Sequence, residues 1–416
     1  MILHLGNAIL FIASFYVMLL FFQQFLRARA HQVNFSLKRS LLENQVNGII
    51  SNNVKPKLDE AAWSGWRKFR VKKIVQENGS IKSFYFVPHD GKPLASFLPG
   101  QHITFNLKVP GQSKPVIRCY SLSNSVKREN YYRVSIKKQV APPNEENLPN
   151  GIASSYFHDI LMKGDVLDVR APSGKFHLDL TEKTSIVLIA GGIGLTPSLS
   201  MLNTLSDMRS DRKIHLLYAV QNKEELIMEK HILARLQRLK NFSFHRFYGS
   251  CDESELSDTV HEGYIDCSKL RDLGIEFDSD FYICGPPPMM NAVVGGLESQ
   301  GVNQERIHFE SFGPASVSKK STVKPVVDEN TTTHPVSFSL SNKKVEWDAS
   351  QGSLLDIAES AGVDIQSGCR AGSCGTCLTA VLEGEVSYAD DAGVDIEKGS
   401  CLPCIATPNG PLKLHA

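Results

Sequence analysis

The chain has 416 residues, enough for two to four domains at ~100–200 residues each. It is 42% hydrophobic and 21% charged with a net charge of +1, so it can bury sizeable cores and lacks the basic excess of a nucleic-acid binder. Its nine cysteines include five within the last 48 residues, which excludes an evenly stapled secreted scaffold and points to a thiol-held metal centre in the cytoplasm.

Residues 6–26, GNAILFIASFYVMLLFFQQFL, carry no charge over 21 positions. A bilayer core takes ~20 apolar residues as helix. Arg27, Arg29, Lys38 and Arg39 follow, whereas only His4 and the α-amino group precede. That asymmetry predicts one retained span in the bilayer, with the C-terminal domains on the cytoplasmic side. A cleaved signal peptide has its positive charge before a shorter apolar run, the reverse of what stands here. The expected boundaries are therefore 1–26 for a transmembrane anchor and 27–65 for a polar juxtamembrane spacer.

From Trp66 the pattern changes to short, alternating segments such as IKSFYFVP, HITFNLKV and YYRVSIKK, separated by turns such as ENGS and HDGKP. Evenly spaced strands of this kind predict a small antiparallel barrel over 66–180. Over 181–314 continuous apolar runs (SIVLIAGG, KIHLLYAV, DFYIC) alternate with helical spacing, which predicts a parallel sheet covered on both faces. Residues 315–334 are polar and patternless and read as a linker. Residues 335–416 form a third module bearing the clustered cysteines.

In that module SGCRAGSCGTC gives C-x4-C-x2-C at Cys369, Cys374 and Cys377, with Cys404 after 26 further residues. This is the ligand run of a plant-type [2Fe–2S] ferredoxin. Two irons need four thiolates, and backbone N–H groups must point at the sulfurs to stabilise their charge. A loop wraps that tightly only with small residues, which Gly368, Ala371, Gly372 and Gly375 supply. Structural zinc sites typically use two ligand pairs, a poorer match to one loop and one distant cysteine. CLPCIATP offers both Cys401 and Cys404 as the fourth ligand. The resemblance to plant-type ferredoxins, whose fourth cysteine follows a hydrophobic-x-Cys-x-Ala/Thr pattern, implies Cys404, leaving Cys401 buried or idle. It also implies a β-grasp fold for 335–416.

Two further motifs resemble the ferredoxin–NADP reductase superfamily. In RCYS the resemblance implies that Arg118 pairs with flavin phosphate, Tyr120 lies against the flavin ring and Ser121 reaches N5. In GIASS it implies a phosphate-binding turn at Gly151 and Ser154, with the strand at 134–138 along the flavin nucleotide. AGGIGLTP follows a buried strand and opens a helix; Gly191, Gly192, Gly194, Thr196 and Pro197 resemble the superfamily's NAD(P) turn. CGPPPM implies Cys284 beside the nicotinamide, with Gly285, Pro286 and Met289 bordering the dinucleotide. FESF implies Phe312 against the flavin and Glu310 as a proton or hydrogen-bond partner. Ser121, Cys284 and Glu310 are thus the expected catalytic residues.

The loop after the second buried strand of 181–314 carries only Lys223, beside Glu224 and Glu225, which favours NADH over NADPH. The RCYS and GxxS forms favour FAD, with FMN the alternative. The resemblance covers about five-sixths of the chain, in the order flavin barrel, nucleotide domain, ferredoxin. It implies an NAD(P)H:acceptor oxidoreductase that passes a hydride to flavin and single electrons through the cluster. The acceptor it implies is a membrane-associated oxygenase, desaturase or hydroxylase. The alternative is an input subunit of a respiratory or ion-pumping quinone reductase, against which the domain order speaks.

Overall fold

The computed structural model describes residues 63–141, 149–312, 333–372, 374–388, 392–394 and 396–416, all within one compact unit, Lys57–Ala416. The expected single-pass membrane placement is corrected here. Among the described residues no helix is long and apolar enough to cross a membrane. The physical reason is length. Their longest helices have 13 residues, about 20 Å at 1.5 Å per residue, against a hydrocarbon core of about 30 Å. Residues 6–26, on which the expectation rested, lie outside the described residues, as does the stretch 313–332 containing most of the expected linker.

Strands β1 (Arg67–Gln76), β2 (Ile81–Pro88), β3 (His102–Leu107), β4 (Val116–Ser121), β5 (Tyr132–Lys137) and β6 (Val166–Val169) form one antiparallel sheet in the order β4-β3-β6-β1-β2-β5. It closes on itself where Leu122 bridges Val134 and the Ser123 N–H donates to the Arg133 carbonyl at 2.8 Å. Period-two alternation turns Ile103, Phe105 and Leu107 inward, where they pack with Phe69, Phe84, Phe86 and Phe157. On the other face of β3, His102 and Thr104 are buried too. A free barrel would show that polar face to water, so something else covers it.

Strands β7 (Ile186–Gly191), β8 (Ile214–Val220), β9 (Phe242–Tyr248), β10 (Val260–Glu262), β11 (Asp280–Cys284) and β12 (Ile307–Glu310) make a wholly parallel sheet in the order β10-β9-β8-β7-β11-β12. Apolar clusters bury both its faces, which is why β7 reads as an unbroken apolar run. The strand order reverses between β7 and β11. At such a switch point the connections leave in opposite directions and open a crevice at the carboxyl ends of the strands.

Helix α1 (Ile152–Ser155) continues into a wide turn at Tyr156–Ile160, and His158 Nε2 lies 2.8 Å from the Ile136 carbonyl on β5. Helix α2 (Leu195–Asp207) follows β7 and is buried almost throughout. Its apolar residues meet the sheet, while its hydroxyl and amide face meets the barrel. Ser200 Oγ donates to the Asn124 carbonyl at 2.8 Å, and Asn203 Nδ2 to the Ser123 carbonyl at 3.0 Å. These bonds satisfy polar groups that would otherwise be stranded by burial, a cost of about 1–3 kcal/mol each. Helices α3 (Glu229–Leu236), α4 (Cys267–Asp272) and α5 (Pro287–Ser299) complete the layers.

The C-terminal module is a mixed sheet, β14-β13-β19-β15-β17, built from β13 (His334–Phe338), β14 (Lys343–Trp347), β15 (Thr379–Glu383), β17 (Ser400–Cys401) and β19 (Leu412–Leu414). A two-stranded ribbon, β16 (Val386–Tyr388) with β18 (Ala406–Pro408), lies beside it. Helix α6 (Leu354–Ser360) starts on a capping box between Ser353 and Asp356 and packs Leu354, Leu355 and Ile357 into the same core as Phe338 and Leu414.

Candidate functional site

All three modules meet at one cavity of about 350 Å³. The barrel contributes Arg118, Cys119, Tyr120 and Ser121 from β4 with Ser135, Ile136 and Lys137 from β5. The parallel-sheet module contributes Ile193, Thr196, Glu310, Ser311 and Phe312, and the cysteine loop contributes 368–371. Residues widely separated in sequence thus share one wall.

Arg118 is exposed and donates to the Ile117 carbonyl at 2.7 Å, so most of its guanidinium is free for an anion. The Tyr120 ring stands edge-on to Phe157 at 5.2 Å and tilted to Phe105 at 5.9 Å, which fixes its plane. Burial pushes the Tyr120 phenol well above its ordinary range, so it stays neutral. Ser121 is buried. The Ser154 hydroxyl accepts from the Gln139 N–H at 3.1 Å and donates to the Gly151 carbonyl at 3.0 Å, so it joins α1 to the strand before it.

At the switch point the turn after β7 and the turn after β11 press together. A side chain at Gly194 would overlap the Cys284 carbonyl, and one at Gly191 would meet Pro286 Cδ at 2.6 Å and Met289 Sδ at 2.9 Å. One at Gly285 would meet Met289 Cε at 2.5 Å. These glycines make room for protein. Gly192 differs, having a φ of +53° and open space around it, so it is the glycine whose backbone a ligand can approach. Thr196 is buried, and its hydroxyl donates to the Ile193 carbonyl at 3.1 Å. Pro197 is buried in the first turn of α2.

Cys284 is wholly buried at the end of β11 and is not among the cavity-lining residues; burial pushes its thiol well up, so it is protonated. Glu310 pairs with it across β11 and β12. The carboxylate has one oxygen 3.7 Å from His102 Nδ1 and the other buried without a hydrogen-bond partner, an unspent acceptor at the cavity wall. Phe312 is 42% exposed on the same wall.

The four expected ligand cysteines stand as two pairs. Cys369 lies beside Cys374, its N–H donating to the Cys374 sulfur at 3.3 Å, and Cys377 Sγ lies 3.2 Å from Cys404 Sγ. Among the described residues no three His, Cys, Asp or Glu side chains are placed to hold a single metal ion. The paired arrangement fits two irons with two thiolates each. The Ala371 N–H donates to the Cys369 sulfur at 3.4 Å. Arg370, Gly372 and Gly375 have φ of +54°, +68° and +65°, which curls the loop around its sulfurs. A side chain at Gly368 would meet Cys374 Sγ at 2.9 Å. The Cys374 thiol is held well below the usual thiol range, chiefly by hydrogen bonds from the side chains of Cys119 and Cys369. Donors aimed at sulfur and a cradle without side chains fit an iron–sulfur group. Cys401 is fully buried in the core, and its thiol is pushed up to about 12 by burial.

The sequence reading assigns no role to His102, Cys119 or Gln139, yet all three line the cavity. The available signal was the polar alternation of His102, Thr104 and Asn106 along β3, an outward face that stops short of meaning an exposed one.

Residues 68–178 match the family described as oxidoreductase FAD-binding domain, 188–295 that of oxidoreductase NAD-binding domain, and 338–409 that of 2Fe-2S iron-sulfur cluster binding domain. The flavohemoprotein of Bacillus thuringiensis subsp. konkukian is 37% identical over 259 residues, which are 62% of this chain and 63% of that protein. The chain therefore spans less than two thirds of the length of such curated relatives. The FAD/NAD-binding domain of a nitric oxide dioxygenase from Vibrio cholerae superposes with a TM-score of 0.53 at 30% identity, over 60% of this chain and 99% of that one. Phthalate dioxygenase reductase, described as a modular structure for electron transfer from pyridine nucleotides to [2Fe-2S], superposes with a TM-score of 0.52 at 26% identity. That match covers 85% of this chain and 98% of the other.

Proposed function

We propose that the chain, with its FAD-binding, NAD-binding and 2Fe–2S domain matches, is an NAD(P)H oxidoreductase of the ferredoxin-reductase type that draws electron pairs from NADH and delivers single electrons to a partner oxygenase. Bound flavin supplies the conversion, since it accepts a hydride from reduced nicotinamide and releases electrons one at a time to an iron–sulfur centre. The observation that supports this reading is the single cavity walled by the flavin strand, the nicotinamide turn and the cysteine loop.

The side chains divide the work by their chemistry. Arg118 offers a free guanidinium to phosphate. Tyr120, locked between Phe105 and Phe157, offers a flat apolar surface. The Ser121 hydroxyl and the partnerless Glu310 oxygen are polar groups able to accept or hold a proton at the reacting edge. Gly192 presents backbone to the dinucleotide, and Cys284 forms the dry floor beneath the turn. Cys369, Cys374, Cys377 and Cys404 hold the cluster.

NADH is favoured because Lys223, the cation of its loop, is paired with Glu255 at 2.9 Å, with Glu224 and Glu225 beside it. A 2′-phosphate would meet carboxylates there. The oxygenase partner is carried over from phthalate dioxygenase reductase, whose name couples it to a dioxygenase.

The test is a Cys404→Ser variant. With NADH, the flavin absorption should still bleach, while reduction of cytochrome c, an obligate one-electron acceptor, should fall at least tenfold. Undiminished cytochrome c reduction would take the cluster off the path.

A further inference from the structure

His102 is a buried histidine that takes no part in the barrel core. Alternation along β3 turns Ile103 and Phe105 inward and His102 and Thr104 outward. His102 stands opposite Ser121 in register, so the two side chains share the outer face of β3 and β4. Its backbone is clamped on the other side too: the His102 N–H donates to the Ser173 carbonyl and the Ser173 N–H to the His102 carbonyl, both at 3.0 Å. The ring lies against Gly174, whose φ of +116° favours glycine and where a side chain would come within 2.9 Å of His102 Nδ1. Nε2 sits 3.4 Å from Ser173 Oγ, and Nδ1 sits 3.7 Å from Glu310 Oε1. Barrel and nucleotide module thus meet across one imidazole, at the wall of the cavity that His102, Ser121 and Glu310 all line.

We propose that His102 is a positioning residue: its imidazole, tied to Ser173, holds the Glu310 carboxylate in place at the cavity wall for transfer between nicotinamide and flavin. The inference deepens the function proposed above and rests on it. A carboxylate only accepts, so the nitrogen facing Glu310 is the one that carries hydrogen; the Ser173 hydroxyl serves Nε2 in either role. At 3.7 Å the contact is electrostatic rather than a hydrogen bond. It acts where water screens little, since the His102 and Glu310 side chains are only 3% and 11% exposed. The other Glu310 oxygen has no hydrogen-bond partner. The carboxylate therefore has no second anchor on that side, and its direction depends on the imidazole. In a reacting constellation a misplacement of about 1 Å costs up to about a hundredfold in rate.

The experiment uses the full holoprotein with His102→Asn, His102→Gln, His102→Phe and Glu310→Gln. An asparagine amide nitrogen takes the place of Nδ1 and a glutamine one that of Nε2, while phenylalanine keeps the bulk of the ring without either. At saturating NADH, stopped-flow bleaching of the flavin absorption should slow by about tenfold to a hundredfold in His102→Phe. The half-saturating NADH concentration should stay put. His102→Asn should return most of the rate and His102→Gln should not, a contrast that carries the test even if His102→Phe fails to fold. Added to Glu310→Gln, His102→Phe should cost less than about twofold more, because the two side chains act as a pair. A readout independent of turnover is the infrared carboxylate band of the oxidised protein that Glu310→Gln removes. It should shift in His102→Phe and hold its position in His102→Asn. A wild-type rate and band in His102→Phe would overturn the proposal. So would a loss in His102→Asn as great as that in His102→Phe. If Glu310→Gln itself bleaches at the wild-type rate, the role of Glu310 in the proposed function fails and this inference falls with it.

Discussion

Two glycine-rich segments of this molecule use the missing side chain for opposite ends. In the turn after β7, Gly191 and Gly194 make room for the protein itself, because the turn after β11 occupies the space their side chains would take. In the cysteine loop, Gly372 and Gly375 supply left-handed backbone, and Gly368 keeps a side chain off a sulfur. One segment is a packing joint between two turns of one sheet; the other is a cradle for a bound group. A glycine run therefore states that something comes close, while the neighbouring chain decides whether it is a ligand or another piece of backbone.

The largest effect should separate these uses most sharply. Gly194→Ala drives a methyl into the Cys284 carbonyl, a backbone atom that cannot turn aside. The expected cost is about 3 kcal/mol in denaturant unfolding of the nucleotide module, with the iron–sulfur absorption retained under native conditions. A loss of that absorption without a loss of stability would reverse the comparison.

Gly368→Ala should do the converse. Its methyl would press on Cys374 Sγ and Ile117 Cγ2, so iron content per chain should fall by at least half. The flavin and nucleotide modules should change by no more than about 1 kcal/mol. Full iron content would mean that the loop has slack and that the cradle is not tight.

Gly192→Ala sharpens the point within one turn. Its surroundings are open and only its φ of +53° opposes a side chain, so the cost should be about 1 kcal/mol. The Michaelis constant for NADH should rise while stability barely moves. If Gly192→Ala destabilises as much as Gly194→Ala, then both glycines serve packing.

The smallest effect should come from Lys114→Ala. Lys114 meets Asp364 at 2.6 Å across the barrel–ferredoxin boundary, but both side chains are largely exposed. Water and salt screen such a pair to about 0–1 kcal/mol, so unfolding and cytochrome c reduction should both stay close to wild type. A large drop in electron transfer would show that the docking of the two modules depends on this pair.

The sequence by itself determined the chemistry that depends on near neighbours. Cys369, Cys374 and Cys377 lie within nine residues, and thiolates at that spacing with glycines between them leave little choice of bound group. The alternation of HITFNL and the unbroken run IVLIAG likewise reveal a barrel strand and a doubly covered strand, because pleating and burial act locally. Only the tertiary structure decided what covers the outward side of β3 and β4. His102 and Thr104 look like solvent-facing positions in sequence, and Cys119 looks like a spacer between Arg118 and Tyr120. The burial of His102 and Thr104 and the unspent Glu310 oxygen beside His102 arise from modules packing together. Residues far apart along the chain meet there, and no local periodicity encodes which face the neighbouring module will claim.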